Sequence, residues 1–387
     1  MYAGRFYAFT IEGDILTFNW DRLIDHLPFD QELRVPLEYA FQKSNLLYLE
    51  SSLRDPDVKR IMFSKFSHLA EMSIQLNDQQ LIKASVSKQR SPFEFPHSDS
   101  TIYREAIYIV SQSGVFRATC NKKTRYGIST KVEKYWDASV FQLAASYDRL
   151  ALAAGDEGLF ELAVGGAHIL RNDPKLIAAK RCTSCSWAFH SIYGSSHEST
   201  GFLADYDRDR KGRSFIPNID EKGRWLRKII PSDDIFHEHG FSWAAQDRIC
   251  LANNGEVKVN SYAPFQTDKR IESLGTIEVL QSRHGRVIAG AVALFGTIIE
   301  YENVLVVCLS DGTIWKTDEE IVSWRVFPRS RNYENQLHII YDDRLEVLSF
   351  NNDYFVDQKR KIAGITYINR EASRWKHQIE YNPSASS

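Results

Sequence analysis

The stretch that most constrains this chain runs from Ser139 to Val164, SVFQLAASYDRLALAAGDEGLFELAV. Three apolar runs, VFQLAAS, RLALAAG and LFELAV, are separated by a Tyr-Asp turn and an Asp-Glu-Gly turn. Runs of this length bounded by turn residues read as antiparallel strands. Gly158 reaches positive φ at little steric cost, so the chain can reverse tightly there. A lone meander of this kind cannot bury both of its faces and needs neighbours of the same sort.

Those neighbours are present. FYAFTI and ILTFNW flank Glu12-Gly13-Asp14, and AIYIV precedes Ser113-Gly114 and VFRAT. SIYGSS leads through His197 to Gly201 and FLADY, and RICLA and VKVNSY flank Asn253-Asn254-Gly255. NVLVVCL turns at Ser310-Asp311-Gly312 into TIWKT, and QLHIIY turns at Asp342-Asp343-Arg344 into LEVLSF. Several units carry an extra apolar run in front, such as FSWAA, AVALFGTIIEY and WRVF. The turn glycines at 114, 158 and 201 are spaced near the ~40–45 residues of propeller repeats.

In the order of its strands the chain resembles the β-propeller superfamily, in a WD40-like pattern. Trp136-Asp137 is a Trp-Asp dipeptide, and it stands before the first strand of its unit. The resemblance implies an all-β ring of seven blades, with six or eight as alternatives, spanning 1–387 as one domain. Ring closure removes exposed sheet edges. The N-terminal strand is expected to pair near the C-terminal one, and GITYI in the basic tail after 351 is a second candidate for the closing strand.

Some segments depart from the repeat. Residues 21–65 have apolar positions at three- and four-residue spacings (Leu37, Ala40, Leu46, Leu47) and read as a helical insertion. It either docks a partner, through 35–54, or folds onto its own propeller. HLAEMSIQL and QLIKASV read as a strand pair around Asn77-Asp78, and 166–180 as a linker. Residues 207–232 read as a long inter-blade loop. Arg208, Arg210, Lys211, Arg213, Arg227 and Lys228 crowd there, with Trp225 among them. Basic residues beside aromatics can hold phosphates and stack on bases, although Asp207, Asp209, Asp220 and Glu221 offset part of the charge.

The formal net charge of −2 argues against wholesale coating of nucleic acid. No run is apolar and long enough to cross a bilayer, and the opening MYAGRFYAFT lacks the pattern of a secretory leader. The five cysteines are odd in number and mostly inside apparent strands, which fits reduced thiols in the cytoplasm.

Chemistry-bearing patterns are sparse. Cys182-Thr183-Ser184-Cys185 is a single C-x-x-C without a second pair for zinc. His237-Glu238-His239 on a strand would point both rings one way towards a metal, with Asp233 or Asp234 as a further ligand. Otherwise it is a polar loop. Paired acids such as Asp205 with Asp207, or Asp342 with Asp343, read as turn formers. No phosphate-binding loop, dinucleotide fingerprint or nucleophile elbow occurs, and no cofactor is expected.

The function expected first is a non-enzymatic scaffold that binds another protein in a cytosolic assembly. The alternatives are a nucleic-acid-contacting subunit acting through 207–228, and a propeller hydrolase or lyase with a metal in its channel. No membrane contact is expected.

Overall fold

A computed structural model describes residues 1–25 except 3, residues 27 and 40–41, and residues 71–350. Within the last range it leaves out 125–126, 165–173, 199, 207–218, 220–224, 246, 254, 265, 267–269, 280–284, 310–311, 329 and 331–332. The described residues form seven antiparallel sheets, one per blade. The chain is a seven-bladed β-propeller.

Blade 1 contains Arg5–Phe9, Asp14–Asn19 and Ser87–Arg90. Blade 2 contains Asp99–Tyr103, Ala106–Ser111, Gly114–Thr119 and Val132–Trp136. Blade 3, built on the meander read first, contains Gln142–Ser146, Arg149–Ala153, Leu159–Ala163 and Lys175–Ala178. Blade 4 contains Ser184–Ala188, Ser191–Ser195, Phe202–Tyr206 and Arg227–Pro231. Blade 5 contains Phe241–Ala245, Arg248–Asn253, Glu256–Tyr262 and Ile271–Glu278. Blade 6 contains Val287–Ala293, Gly296–Tyr301, Leu305–Leu309 and Ile314–Lys316. Blade 7 contains Ser323–Val326, Gln336–Ile340 and Arg344–Phe350, and takes its fourth strand, Glu71–Asn77, from the far end of the chain.

That last pairing closes the ring. Arg344 lies opposite Asn77 and Phe350 opposite Glu71 along a full antiparallel ladder. The N-terminal strand does not do this, because Arg5–Phe9 pairs only with Asp14–Asn19 among the named strands. GITYI lies outside the described residues. The expected strand pair around Asn77-Asp78 is instead a strand and a helix, Asp78–Ala84. Asn77 accepts a hydrogen bond from the Gln80 amide while the Gln80 side chain accepts one from the Asn77 amide. This reciprocal cap satisfies helix-end donors, and it outweighs the apolar alternation of QLIKASV.

The core is divided between blades. Seven apolar clusters each join two neighbouring sheets. At the closing seam Phe18, Trp20, Ile74, Val347 and Phe6 pack together, and the Trp20 indole N–H donates to the Phe41 carbonyl at 2.8 Å. Burying each large side chain contributes about 1.5–3 kcal/mol. Asn335 and Gln336 donate to the Ala40 and Phe41 carbonyls. The described part of the helical insertion, the helix Trp20–Asp25 and residues 40–41, is therefore tied to blades 7 and 1. The remainder of 21–65 lies outside the described residues. An ion pair from Arg325 to Asp99 joins the first strands of blades 7 and 2 directly.

One further expectation changes. Lys175–Ala178, read as linker, is the fourth strand of blade 3, where its lone Leu and Ile leave the apolar pattern too short to show. Trp136-Asp137 ends the outer strand of blade 2, Val132–Trp136, and precedes the first strand of blade 3, Gln142–Ser146.

Gly158 has φ +105°, and a Cβ there would run into the Ala178 carbonyl. The Gly158→Ala variant should lose about 1–3 kcal/mol from the backbone conformation alone, with the collision added. Urea unfolding monitored by tryptophan fluorescence should show a lower midpoint at unchanged slope.

Candidate interaction surfaces

Antiparallel strands sort the connections onto two ends of the ring. The turns between second and third strands, and the links from one blade to the next, share one end, here termed the upper. The turns between first and second strands, and between third and fourth, share the lower end. The turn 10–13 of blade 1 belongs to the upper end, because Ser91, which leads into blade 2, donates its amide to the Gly13 carbonyl at 3.0 Å.

The basic stretch leaves and rejoins its sheet at the lower end. It is not an inter-blade loop: it connects the third and fourth strands of blade 4 and ends where Arg227–Pro231 begins. Arg208, Arg210, Lys211 and Arg213 lie outside the described residues. Lys228 is exposed. Arg227 is 3% exposed, and its Nε donates to Glu161 Oε2 at 2.8 Å; Glu161 is 2% exposed. Arg227 Nη1 also donates to the His190 and Ala204 carbonyls at 2.9 and 3.1 Å. Arg149 pairs with the other Glu161 oxygen at 2.9 Å. The two guanidinium groups pack against the Trp225 ring, at 4.4 Å for Arg149 and 5.5 Å for Arg227. Trp187, Tyr147 and His190 complete the aromatic group. Burial, with the Arg227 charge second, holds His190 below the ordinary histidine range.

Trp225 and Arg227 thus cement blades 3 and 4 together and fix the point where the basic connection returns to the sheet. Glu161, His190 and Tyr147 were invisible as partners in the sequence, because they come from three separate hairpins. The only hint was that LFELAV places one acid inside an apolar run.

At the upper end a cleft of about 560 Å³ opens between blades 4, 5 and 6, lined by His197, Asp233, His239, Phe241, Arg286 and Tyr301 among others. The His-x-His pair is not on a strand. His237 ends the short helix Ser232–Phe236 with φ +55°, and His239 lies beyond it, its Nδ1 3.3 Å from Asp233 Oδ1. The alternation that would bring both rings to one metal is therefore absent. His197 stacks on Phe241 with ring centroids 5.0 Å apart. Burial, then the nearby Arg286, lowers its pKa. Among the described residues no group of three or more His, Cys, Asp or Glu side chains is placed to hold a metal ion.

The five cysteines are free and buried. Burial pushes the Cys182 thiol up to about 12 and raises Cys185 as well, so the C-x-x-C pair holds little thiolate at neutral pH. Asp205 is not a turn residue. It is buried on the third strand of blade 4 and accepts hydrogen bonds from Ser191, Tyr262 and Arg270 at 3.0, 2.7 and 2.9 Å. It joins blade 4 to blade 5.

No family model matches the chain, and no curated protein matches it. Among solved structures it is similar to Kluyveromyces lactis Hsv2, at 10% identity and a TM-score of 0.40, covering 64% of this chain and 70% of that one. The β-propeller domain of Myceliophteria thermophila Swd1 matches at 10% identity and a TM-score of 0.40, over 66% of this chain and 97% of that one. A chain of the Mitotic Checkpoint Complex matches at 11% identity and a TM-score of 0.41, over 67% of this chain and 80% of that one. At these scores the likeness is one of outline, and the seven sheets themselves establish the fold.

Proposed function

We propose that the chain is a non-enzymatic platform for protein–protein interaction, a propeller subunit of a larger cytosolic assembly. The observation that carries this reading is a set of large apolar side chains standing in water on upper-end connections. Ile11 is 85% exposed, Phe95 51% and Val322 60%, and Phe141 and Ile340 are exposed beside them in sequence order around blades 7, 1, 2 and 3. Scattered exposed apolar residues are ordinary. Several at one end of a rigid scaffold are what a docking face requires.

The test replaces Ile11, Phe95 and Val322 together with aspartate. Exposed positions change stability little, so the variant should melt with the wild type. Affinity purification from the native host should recover a stoichiometric protein set with the wild type and lose it with the variant. Recovery of the same set by both would refute the reading.

A second contact at the lower end is favoured by the exposed Lys228 and by the anchoring of the basic connection on Trp225. Its partner would be an acidic surface. The informative variant is Arg210→Glu with Lys211→Glu and Arg213→Glu, leaving Trp225 and Arg227 in place, because those two hold the blade junction. Binding that weakens steeply with salt in the wild type should lose that dependence in the variant.

A further inference from the structure

The upper end of blades 7, 1 and 2 combines its apolar side chains with charge of one sign. Four of the connections there are 10–13, 91–98, 317–322 and 341–343, and none of these four contains a lysine or an arginine. Glu12, Glu94, Asp318, Glu320 and Asp342 are exposed on them, interleaved with Ile11, Phe95 and Val322. Burial lowers the pKa of His97, in the second of these connections. Of the cations at the margin, two are engaged, while Lys316 is exposed at the end of the strand that precedes 317–322. Arg90 lies 3.5 Å from Asp14, and Arg344 pairs with Glu319 at 3.0 Å and Asp343 at 2.8 Å. Lys83 stands on the outer helix.

The chain's own long connections leave from the other end. Asp25 and Glu71 flank the segment 26–70, Tyr206 and Trp225 flank the basic connection, and Phe350 precedes the tail. All of these lie on lower-end strand termini or just beyond them. The occupant proposed for the upper surface is a separate molecule.

Its chemistry follows from complementarity. Apolar contacts supply most of the affinity of a docked segment, while a surrounding rim of one charge selects partners of the other and repels its own kind. We infer that this face takes a protein segment that interleaves lysine or arginine with large apolar side chains. The inference rests on the docking role proposed above and adds the partner's composition to it.

The experiment uses the full chain and three labelled peptides of equal length, followed by fluorescence anisotropy. One alternates lysine with phenylalanine in pairs, one replaces its lysines by glutamate, and one replaces its phenylalanines by serine. The lysine–phenylalanine peptide should bind at least about tenfold more tightly than either of the others. A second variant, Glu12→Lys with Asp318→Lys, Glu320→Lys and Asp342→Lys, should weaken that peptide by about tenfold or more and remove its salt dependence. It should also lose the partners captured from the host. These exposed side chains have no packing role, so its melting should match the wild type.

Equal binding of the glutamate peptide, or unchanged binding by the lysine variant, would overturn the inference. The two readings fail separately. If the aspartate variant loses its partners and the lysine variant keeps them, the docking face stands and its proposed basic partner does not. If the aspartate variant keeps its partners, the docking face itself is wrong.

Discussion

Replacing Glu161 by alanine should destabilise the protein by about 3–5 kcal/mol, because it leaves Arg227 buried without a counter-charge. Both partners are almost wholly removed from water, at 2% and 3% exposed, and Arg149 loses its partner at the same time. The loss should appear as a denaturation midpoint lowered by ~10 °C, and as a lower urea midpoint at unchanged slope. The comparison variant is Asp156→Ala. It removes an exposed pair with Arg181 at 3.1 Å and should cost at most about 1 kcal/mol. A double variant, Glu161→Leu with Arg227→Met, should recover much of the stability lost by Glu161→Ala. The large cost comes from the uncompensated charge rather than from any great net value of the pair. If the two single variants lost similar stability, the buried pair would not be holding blades 3 and 4 together.

Acid should weaken the closing seam through His338. This side chain is buried in blade 7 between Trp20, whose ring lies 5.4 Å away in a stacked arrangement, and Phe327 at 4.9 Å. Its Nε2 meets Gln336 Oε1 at 3.0 Å, while Nδ1 has no hydrogen-bond partner. Burial holds its pKa down to about 3, against about 6.5 in an unfolded chain. Between those values the unfolded chain takes up a proton and the folded one does not. The stability from keeping His338 neutral is therefore complete above about pH 6.5. It is lost as pH falls towards 3, at up to about 1.4 kcal/mol per unit. The half-buried His190 and His197 shift in the same direction and add smaller slopes. His338→Gln keeps a donor for Gln336 and cannot be protonated, so the fall in stability from pH 6.5 to 4.5 should shrink by about 2–3 kcal/mol. Parallel urea titrations of wild type and variant measure it. Equal pH slopes would remove His338 from the account.

The repeating hairpins were legible because each pair of buried strands is contiguous in sequence and bounded by its turn. AIYIV with VFRAT, RICLA with VKVNSY, and QLHIIY with LEVLSF are the second and third strands of blades 2, 5 and 7. Fourth strands were harder to read. Lys175–Ala178 and Arg227–Pro231 lie on the rim with one face in water, so their patterns merged with the loops around them. The surfaces were less legible still. The basic connection was conspicuous by composition, yet Trp225 and Arg227 proved to be packing residues, because their partners Glu161 and Arg149 arrive from another blade. The His-x-His spacing pointed at a metal only if the segment were extended, and a helix end replaced the strand.

By itself the sequence determined the all-β architecture, the repetition and the blade that the Ser139–Val164 meander would become, since strand formation and tight turns depend on residues a few positions apart. The three-dimensional fold alone decided how the ring closes, with Glu71–Asn77 laid against Arg344–Phe350. It also decided which charges are buried as cement between blades and which stand together at one end of the ring. Those are long-range juxtapositions. They depend on how connections are sorted between two ends of a closed ring, and nothing in local spacing encodes that.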